Sequence, residues 1–309
     1  MSAAAPRRVP LAGILWGITA AAAWAIYNVG AKVGAAQGFR PADLTLMRFL
    51  GAGLLVLLPL LRLGIHNLAG LGWRRGATLT LLIGPLFALI VNTGFILAPL
   101  AHGVVLGPTG TMLSSALLTW LLERERPSPA QLAGMAILLL GLVAIAYDGL
   151  GHDTGAAVHL GDLAFLTAGT LWGVFTYLLR RWRVDAVRGT AVIAVLSMLT
   201  FTPFYLATAS LPPVGASALL LQLVCQGALG GCLAVVAYSA AVRDLGAGRA
   251  ALFTAIVPAL ANLLAVPVLG QLPTALQLLG VLLCSLGLLT ALGLFARRAR
   301  APKLSSAPP

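Results

Sequence analysis

Residues 127–142 read PSPAQLAGMAILLLGL, and residues 273–288 read PTALQLLGVLLCSLGL. A proline, a hydroxyl residue, a glutamine (Gln131 or Gln277), leucine, glycine (Gly134 or Gly280) and a late Leu-Gly-Leu recur at a constant offset of 146. Agreement at so many spaced positions marks an internal repeat. What the repeat is built from follows from composition.

Of the 309 residues, 60% are hydrophobic and only 9% charged, whereas a soluble domain carries about 25% charge. Such a chain cannot cover its own core with polar surface, so lipid must form part of its solvent. The net charge of +12 is spread between apolar runs. It is not clustered as phosphate binding requires, so no nucleic-acid partner is implied. Cys225, Cys232 and Cys284 lie inside apolar stretches without CxxC or Cys/His spacing. They read as packing residues, with no metal or disulfide. No nucleophile–base spacing and no phosphate loop appears, so neither an enzyme nor a cofactor is indicated. Eighteen arginines against two lysines, with abundant alanine and glycine, suggests a GC-rich bacterial genome; the expected location is the cell (inner) membrane. Arg7 and Arg8 precede an apolar run, as in a signal peptide. That run exceeds twenty residues and many more follow, so it reads as a retained first helix.

A bilayer core needs about 20 apolar residues per helix. Breaking the chain at charges and turn residues gives ten spans: 11–36, 42–61, 77–99, 103–122, 129–147, 161–179, 189–210, 216–241, 246–269 and 274–296. The third and fourth are divided only by Pro99, His102 and Gly103. With the N-terminus inside and sides alternating, the inner segments hold Arg7, Arg8, Arg62, Arg74, Arg75, Arg124, Arg126, Arg180, Arg181, Arg183, Arg188, Arg243, Arg249, Arg297, Arg298, Arg300 and Lys303. The outer segments hold only Lys32 and Arg40. This asymmetry fits the positive-inside rule with both termini cytoplasmic. Five spans per repeat is an odd number, so the halves enter the membrane from opposite sides. The first copy of the turn reads ERERPS and lies inside; the second, GQLPT, is uncharged and lies outside. The expected fold is an all-α polytopic membrane protein of ten transmembrane helices in two inverted five-helix repeats. It divides into a cytoplasmic tail (1–10), a first repeat (11–150), an extracytoplasmic loop (151–160), a second repeat (161–296) and a basic cytoplasmic tail (297–309). Secondary transporters use this architecture, with the substrate site near the midplane between halves.

Trp24, Asn28 and Lys32 form one stripe of the first helix, with Tyr27 beside it. At an offset of 148, Trp172, Thr176 and Arg180 repeat the order of aromatic, small polar and cation in the sixth. Two such stripes could wall a shared cavity with a cation toward each mouth; interfacial tryptophan and snorkelling cations are the ordinary alternative. Thr254, Pro258 and Asn262 share a face of the ninth helix, and Pro108 matches Thr254 in the first half. Each proline strips the carbonyl four residues earlier of its helical donor, and in a membrane a neighbour or a cavity must satisfy it. Asn92 pairs by offset with Tyr238, and Gln222 and Gln226 form another polar stripe; these either contact substrate or bond helix to helix. The GxxxG pairs at Gly13, Gly30, Gly169 and Gly227 permit close helix approach.

Arg48 stands inside the second span, where a centrally placed charge costs about 2.5–3.5 kcal/mol on insertion scales. It lies roughly 10 Å below the outer end at 1.5 Å per residue. Two readings stay open: it snorkels outward to Asp43 or a backbone carbonyl, or it binds an anion on the pathway.

MRFLGAG (47–53) and GRAALFTAIVPALANLLAVPVLGQLPTALQLLG (248–280) resemble the drug/metabolite transporter superfamily, specifically its EamA-type members. The resemblance spans nearly the whole chain. It departs at one place: EamA repeats carry Gly-Glu-Arg before the turn, and the second half has Gly270-Gln271-Leu272. The resemblance implies alternating access through a cavity lined by the first, third, fourth, sixth, eighth and ninth helices. It also implies export of amino acids, related metabolites or toxic compounds. Trp24, Tyr27, Asn28, Asn92, Trp172, Thr176, Gln226 and Tyr238 are then substrate-lining candidates, and Lys32, Arg48, Pro108, Arg180, Thr254, Pro258 and Asn262 pathway or gating candidates. All eight acidic residues fall at helix ends or in loops, so gradient-driven movement is expected over carboxylate-based proton exchange. The rival class is a non-transporting scaffold or a subunit of a lipid-carrier flippase. The partners implied are a small-molecule substrate and the bilayer.

Overall fold

The computed structural model describes residues 10–150 and 155–292. The tails and the centre of the connecting loop, with Arg7, Arg8, Arg297, Arg298, Arg300 and Lys303, lie outside the described residues. The described chain is helical throughout, without strands. We number its long helices α1 (Leu11–Ala36), α2 (Pro41–Leu63), α3 (Trp73–Leu97), α4 (Leu100–Glu123), α5 (Pro129–Leu150), α6 (Gly155–Arg181), α7 (Ala186–Thr208), α8 (Ala216–Leu245), α9 (Ala247–Leu269) and α10 (Ala275–Ala291). Nine are long and apolar enough to cross a bilayer; α10 is described over 17 residues only. Leu15, Leu54, Leu86, Leu140, Leu163, Phe204, Leu220, Leu263 and Leu282 point outward, the coat that lipid covers.

Local chemistry sets the boundaries. The weakest sequence division is real: Ala98, before Pro99, is extended and ends α3, as a pre-proline residue prefers. The repeated P-[ST]-x-x-Q stretch proves to be a pair of capping boxes. Ser128 N–H donates to Gln131 Oε1 (2.8 Å) and Gln131 N–H to Ser128 Oγ (3.2 Å). Thr274 and Gln277 do the same at 3.3 and 3.1 Å. Three features were not foreseen. The α2–α3 loop holds a short 3-10 turn, Ile65–Gly70. Helix α3 breaks at Gly84, ahead of Pro85. The middle of α8, Leu223–Leu233, is a π-helix.

Helix pairings recur when each number is shifted by five. Helix α1 packs on α8 and α9 as α6 packs on α3 and α4, and α2 packs on α8 as α7 packs on α3. Two pairs map onto themselves, α2 with α7 and α5 with α10. Both are antiparallel: Asp43, early in α2, meets Tyr205, late in α7, and Asp148, late in α5, meets the α10 cap residue Thr274. A two-fold axis that exchanges antiparallel helices must cross them, so the repeats are inverted. The GxxxG glycines lie where helices come closest: a Cβ on Gly227 would meet Gly51 Cα at 2.7 Å, and one on Gly30 would meet Cys225 Cβ at 2.8 Å.

Candidate functional site

The helix ends define two faces, here called the Lys32 face and the Arg180 face. Packing differs sharply between them. On α4 every residue from Leu100 to Leu106, toward the Lys32 face, is buried; from Thr111 to Glu123 none is. Buried polar groups follow suit, with Asp43, Asn92, His102, Asp148, Gln222, Gln226 and Asn262 all in the Lys32-side half. The bundle is closed at the Lys32 face, and α4 loses its cover toward the Arg180 face; α1 still packs tightly on α8 and α9 there, where a Cβ on Gly13 would meet Leu245 and one on Gly17 would meet Phe253.

Three polar constructions close the Lys32 face. Lys32 Nζ donates to the carbonyls of Phe95 and Ala98, both at 2.7 Å, capping the end of α3 where carbonyls lack helical donors. Asp43 accepts from Arg40 Nη2 at 2.8 Å and from Tyr205 Oη at 2.5 Å. Its hydrogen bond and charge push the Arg40 guanidinium above an arginine's usual range. His102, 1% exposed, lies between two aspartates: its Nδ1 is 2.7 Å from Asp162 Oδ1 and its Nε2 3.7 Å from Asp148 Oδ2. Asp148 also accepts from Thr274 Oγ1 (2.5 Å) and Gln277 Nε2 (2.8 Å). This lock joins α4, α5, α6 and α10. The sequence puts the eight acids at helix ends or in loops, which leaves no carboxylate expected in the interior. Asp43 (0% exposed) and Asp148 (4%) correct it, because several helix ends converge and cover one another.

Of the aromatic candidates, Trp24 and Tyr238 meet, and Trp172 sits apart in a second aromatic group. Trp24 packs on Tyr238 with ring centroids 5.5 Å apart. Trp172 packs on Phe87 (5.4 Å) and Phe175 (5.6 Å). Asn28 is half-buried. Thr176 is exposed and its hydroxyl bonds the Trp172 carbonyl. Asn92 donates to Thr45 at 3.4 Å, and Gln226 to Gln222 at 3.3 Å. Among the described residues, Tyr27 Oη, Asn92 Oδ1 and Gln226 Oε1 are buried without a hydrogen-bond partner.

The pathway candidates separate further. Arg180 is exposed and ties α6 to α4 through Thr119 (3.1 Å) and Glu123 (2.8 Å). Pro108 frees the Val104 carbonyl, and the Cys284 thiol approaches it at 3.8 Å, so that cysteine is more than apolar filling. Asn262 turns back onto the Pro258 carbonyl (2.9 Å) and Thr254 onto that of Ala251 (2.7 Å). Both satisfy their own helix.

Arg48 is 8% exposed. Asp43 bonds Arg40 and Tyr205, and the Arg48 guanidinium lies over the Tyr27 ring at 4.9 Å and near the Phe49 ring at 5.9 Å. Among the described residues it forms no ion pair and its Nε has no partner. It borders a cavity of about 30 Å³ with Phe49, Trp172, Gly230, Gly231 and Val235. The π-helix places Gly230 flat against the Tyr27 ring, and π-turns recur at functional sites. A larger crevice of about 440 Å³ between α3 and α7, lined by Trp73, Ala77, Leu81, Pro85, Leu196 and Thr200, is almost wholly apolar. It holds none of these groups and belongs to the lipid-facing surface.

No curated protein matches the chain. A solved crystal structure superposes with a TM-score of 0.64 at 22% identity, covering 94% of this chain and 99% of that one, a likeness of fold. The model of the EamA-like transporter family matches twice, over residues 11–147 and 159–293, once on each repeat. This chain belongs to the EamA-like transporter family.

Proposed function

We propose that the protein is a secondary transporter that exports amino acids or related small metabolites by alternating access between its inverted repeats. The supporting observation is the closure of the Lys32 face. Helices of both repeats meet there over buried polar and aromatic groups, while α4 is uncovered along its Arg180-side half. The Arg180 face carries Arg62, Arg74, Arg75, Arg124, Arg126, Arg181, Arg183 and Arg188, so the positive-inside rule makes it cytoplasmic. Both termini then lie in the cytoplasm of a bacterial inner membrane, and the site faces the compartment to be emptied. Trp24, Tyr27, Asn28, Asn92, Trp172, Thr176, Gln226 and Tyr238 supply the lining. A scaffold would have no use for buried, half-satisfied polar groups between two-sided halves.

The test is metabolite profiling of the medium from cells with and without overproduction, followed by proteoliposome release of whatever accumulates. The expected result is time-dependent release of at least one small metabolite above protein-free liposomes. A preparation that releases no solute would remove this reading.

A further inference from the structure

We infer that Arg48 is the docking point for a carboxylate of the transported solute; the inference rests on the transporter reading above. The guanidinium is buried, its neighbouring acid Asp43 is committed to Arg40 and Tyr205, and among the described residues no other carboxylate pairs with it. Aromatic rings flank it instead: its Cζ lies over the Tyr27 ring at 4.9 Å, with the Phe49 ring at 5.9 Å. A cation held over a ring face keeps its N–H donors available at the rim. That rim is the fork that matches a planar carboxylate two bonds at a time.

The cavity at the rim, about 30 Å³, admits one small group and not a whole metabolite. It is therefore the end of the site, and the rest of the solute must extend elsewhere. Trp172 shares that wall and continues into Phe87 and Phe175, which offers hydrocarbon and rings to an apolar body. The solute class is a monocarboxylate with an apolar or aromatic body, amino acids included. Charge gives the arrangement its logic. An uncompensated guanidinium is held in the membrane interior, and an arriving carboxylate neutralises it as both lose water.

The experiment loads proteoliposomes of the full chain with a mixture of apolar amino and organic acids and the primary amide of each. Phenyl phosphate, choline and glucose are included, and release is followed by mass spectrometry. Wild type should release acids at least about tenfold faster than their amides, the factor expected for a charge-assisted bond. Arg48→Gln should abolish that preference, and Arg48→Lys should keep it at a reduced rate because the charge remains and the fork is lost. Gel filtration and thermal unfolding report whether each variant is folded. The acid–amide comparison on wild type stands even where Arg48→Gln does not fold. Equal release of acids and amides, preferred release of phenyl phosphate, choline or glucose, or unchanged selectivity in folded Arg48→Gln would overturn the inference and leave a transporter in place. Release of nothing would remove the transporter reading and this inference with it.

Discussion

Proline at position 108 leaves the Val104 carbonyl bare inside the membrane, and the thiol of Cys284, on another helix, covers it at 3.8 Å. Cys284→Val keeps the volume and loses the donor. It should cost about 1 kcal/mol, the net worth of an ordinary hydrogen bond, and Cys284→Ser should restore most of it; thermal unfolding in detergent measures both. Gly230 makes a second residue-scale test. Any Cβ there would strike the Tyr27 ring, so Gly230→Val should displace the ring that stacks on Arg48 and reduce transport while leaving the protein in the membrane. Residues of this kind were only half legible. The sequence shows that a proline removes a donor, but the rescuing group comes from a residue 180 positions away. It likewise shows a charge in an apolar run, but not that the guanidinium lies over the Tyr27 ring, a contact between two helices.

Helix elements were legible where apolar runs end at charges or prolines, and opaque where the backbone changes pitch without changing composition. The π-turns of α8 read as one more hydrophobic helix, because Leu223–Leu233 keeps the same greasy alphabet. The capping boxes were visible as spaced residues, yet their energetic inequality was not. Gln131 caps α5 alone, whereas Gln277 caps α10 and also bonds Asp148 at 2.8 Å. Gln277→Leu should therefore destabilise the protein by about 1–2 kcal/mol more than Gln131→Leu, since it strips a buried carboxylate of a donor. Comparing the two unfolding midpoints decides it. Lys32→Met leaves two carbonyls at the end of α3 uncovered and should raise hydrogen exchange in residues 95–98 selectively.

At the scale of the molecule, the repeat and its inversion were readable from one duplicated stretch and the distribution of arginines, because both are linear properties of the chain. Which face is closed was not, since that depends on how helix ends meet in space. The closed Lys32 face predicts accessibility: Thr176→Cys should react readily with a polar thiol reagent added from the Arg180 side, and Asn92→Cys should be protected. Asp162→Asn, which weakens the hold on His102, should expose Asn92→Cys to reagent added from the opposite side. No change in that reactivity would show that the lock does not control closure.

That lock is single. Shifted by 146, His102 and Asp148 fall on Gly248 and Leu294, and shifted by the 148 that relates the first and sixth helices, Asp162 falls on Ile14. Duplication copied the scaffold and left this fastening on one side of it; under the proposed alternating access the two postures then differ in free energy. A fastening of this sort alters no equilibrium between compartments; it sets where the empty carrier waits. On the proposed orientation it waits turned toward the cell's own contents, ready for the next molecule to leave and slow to accept one coming back.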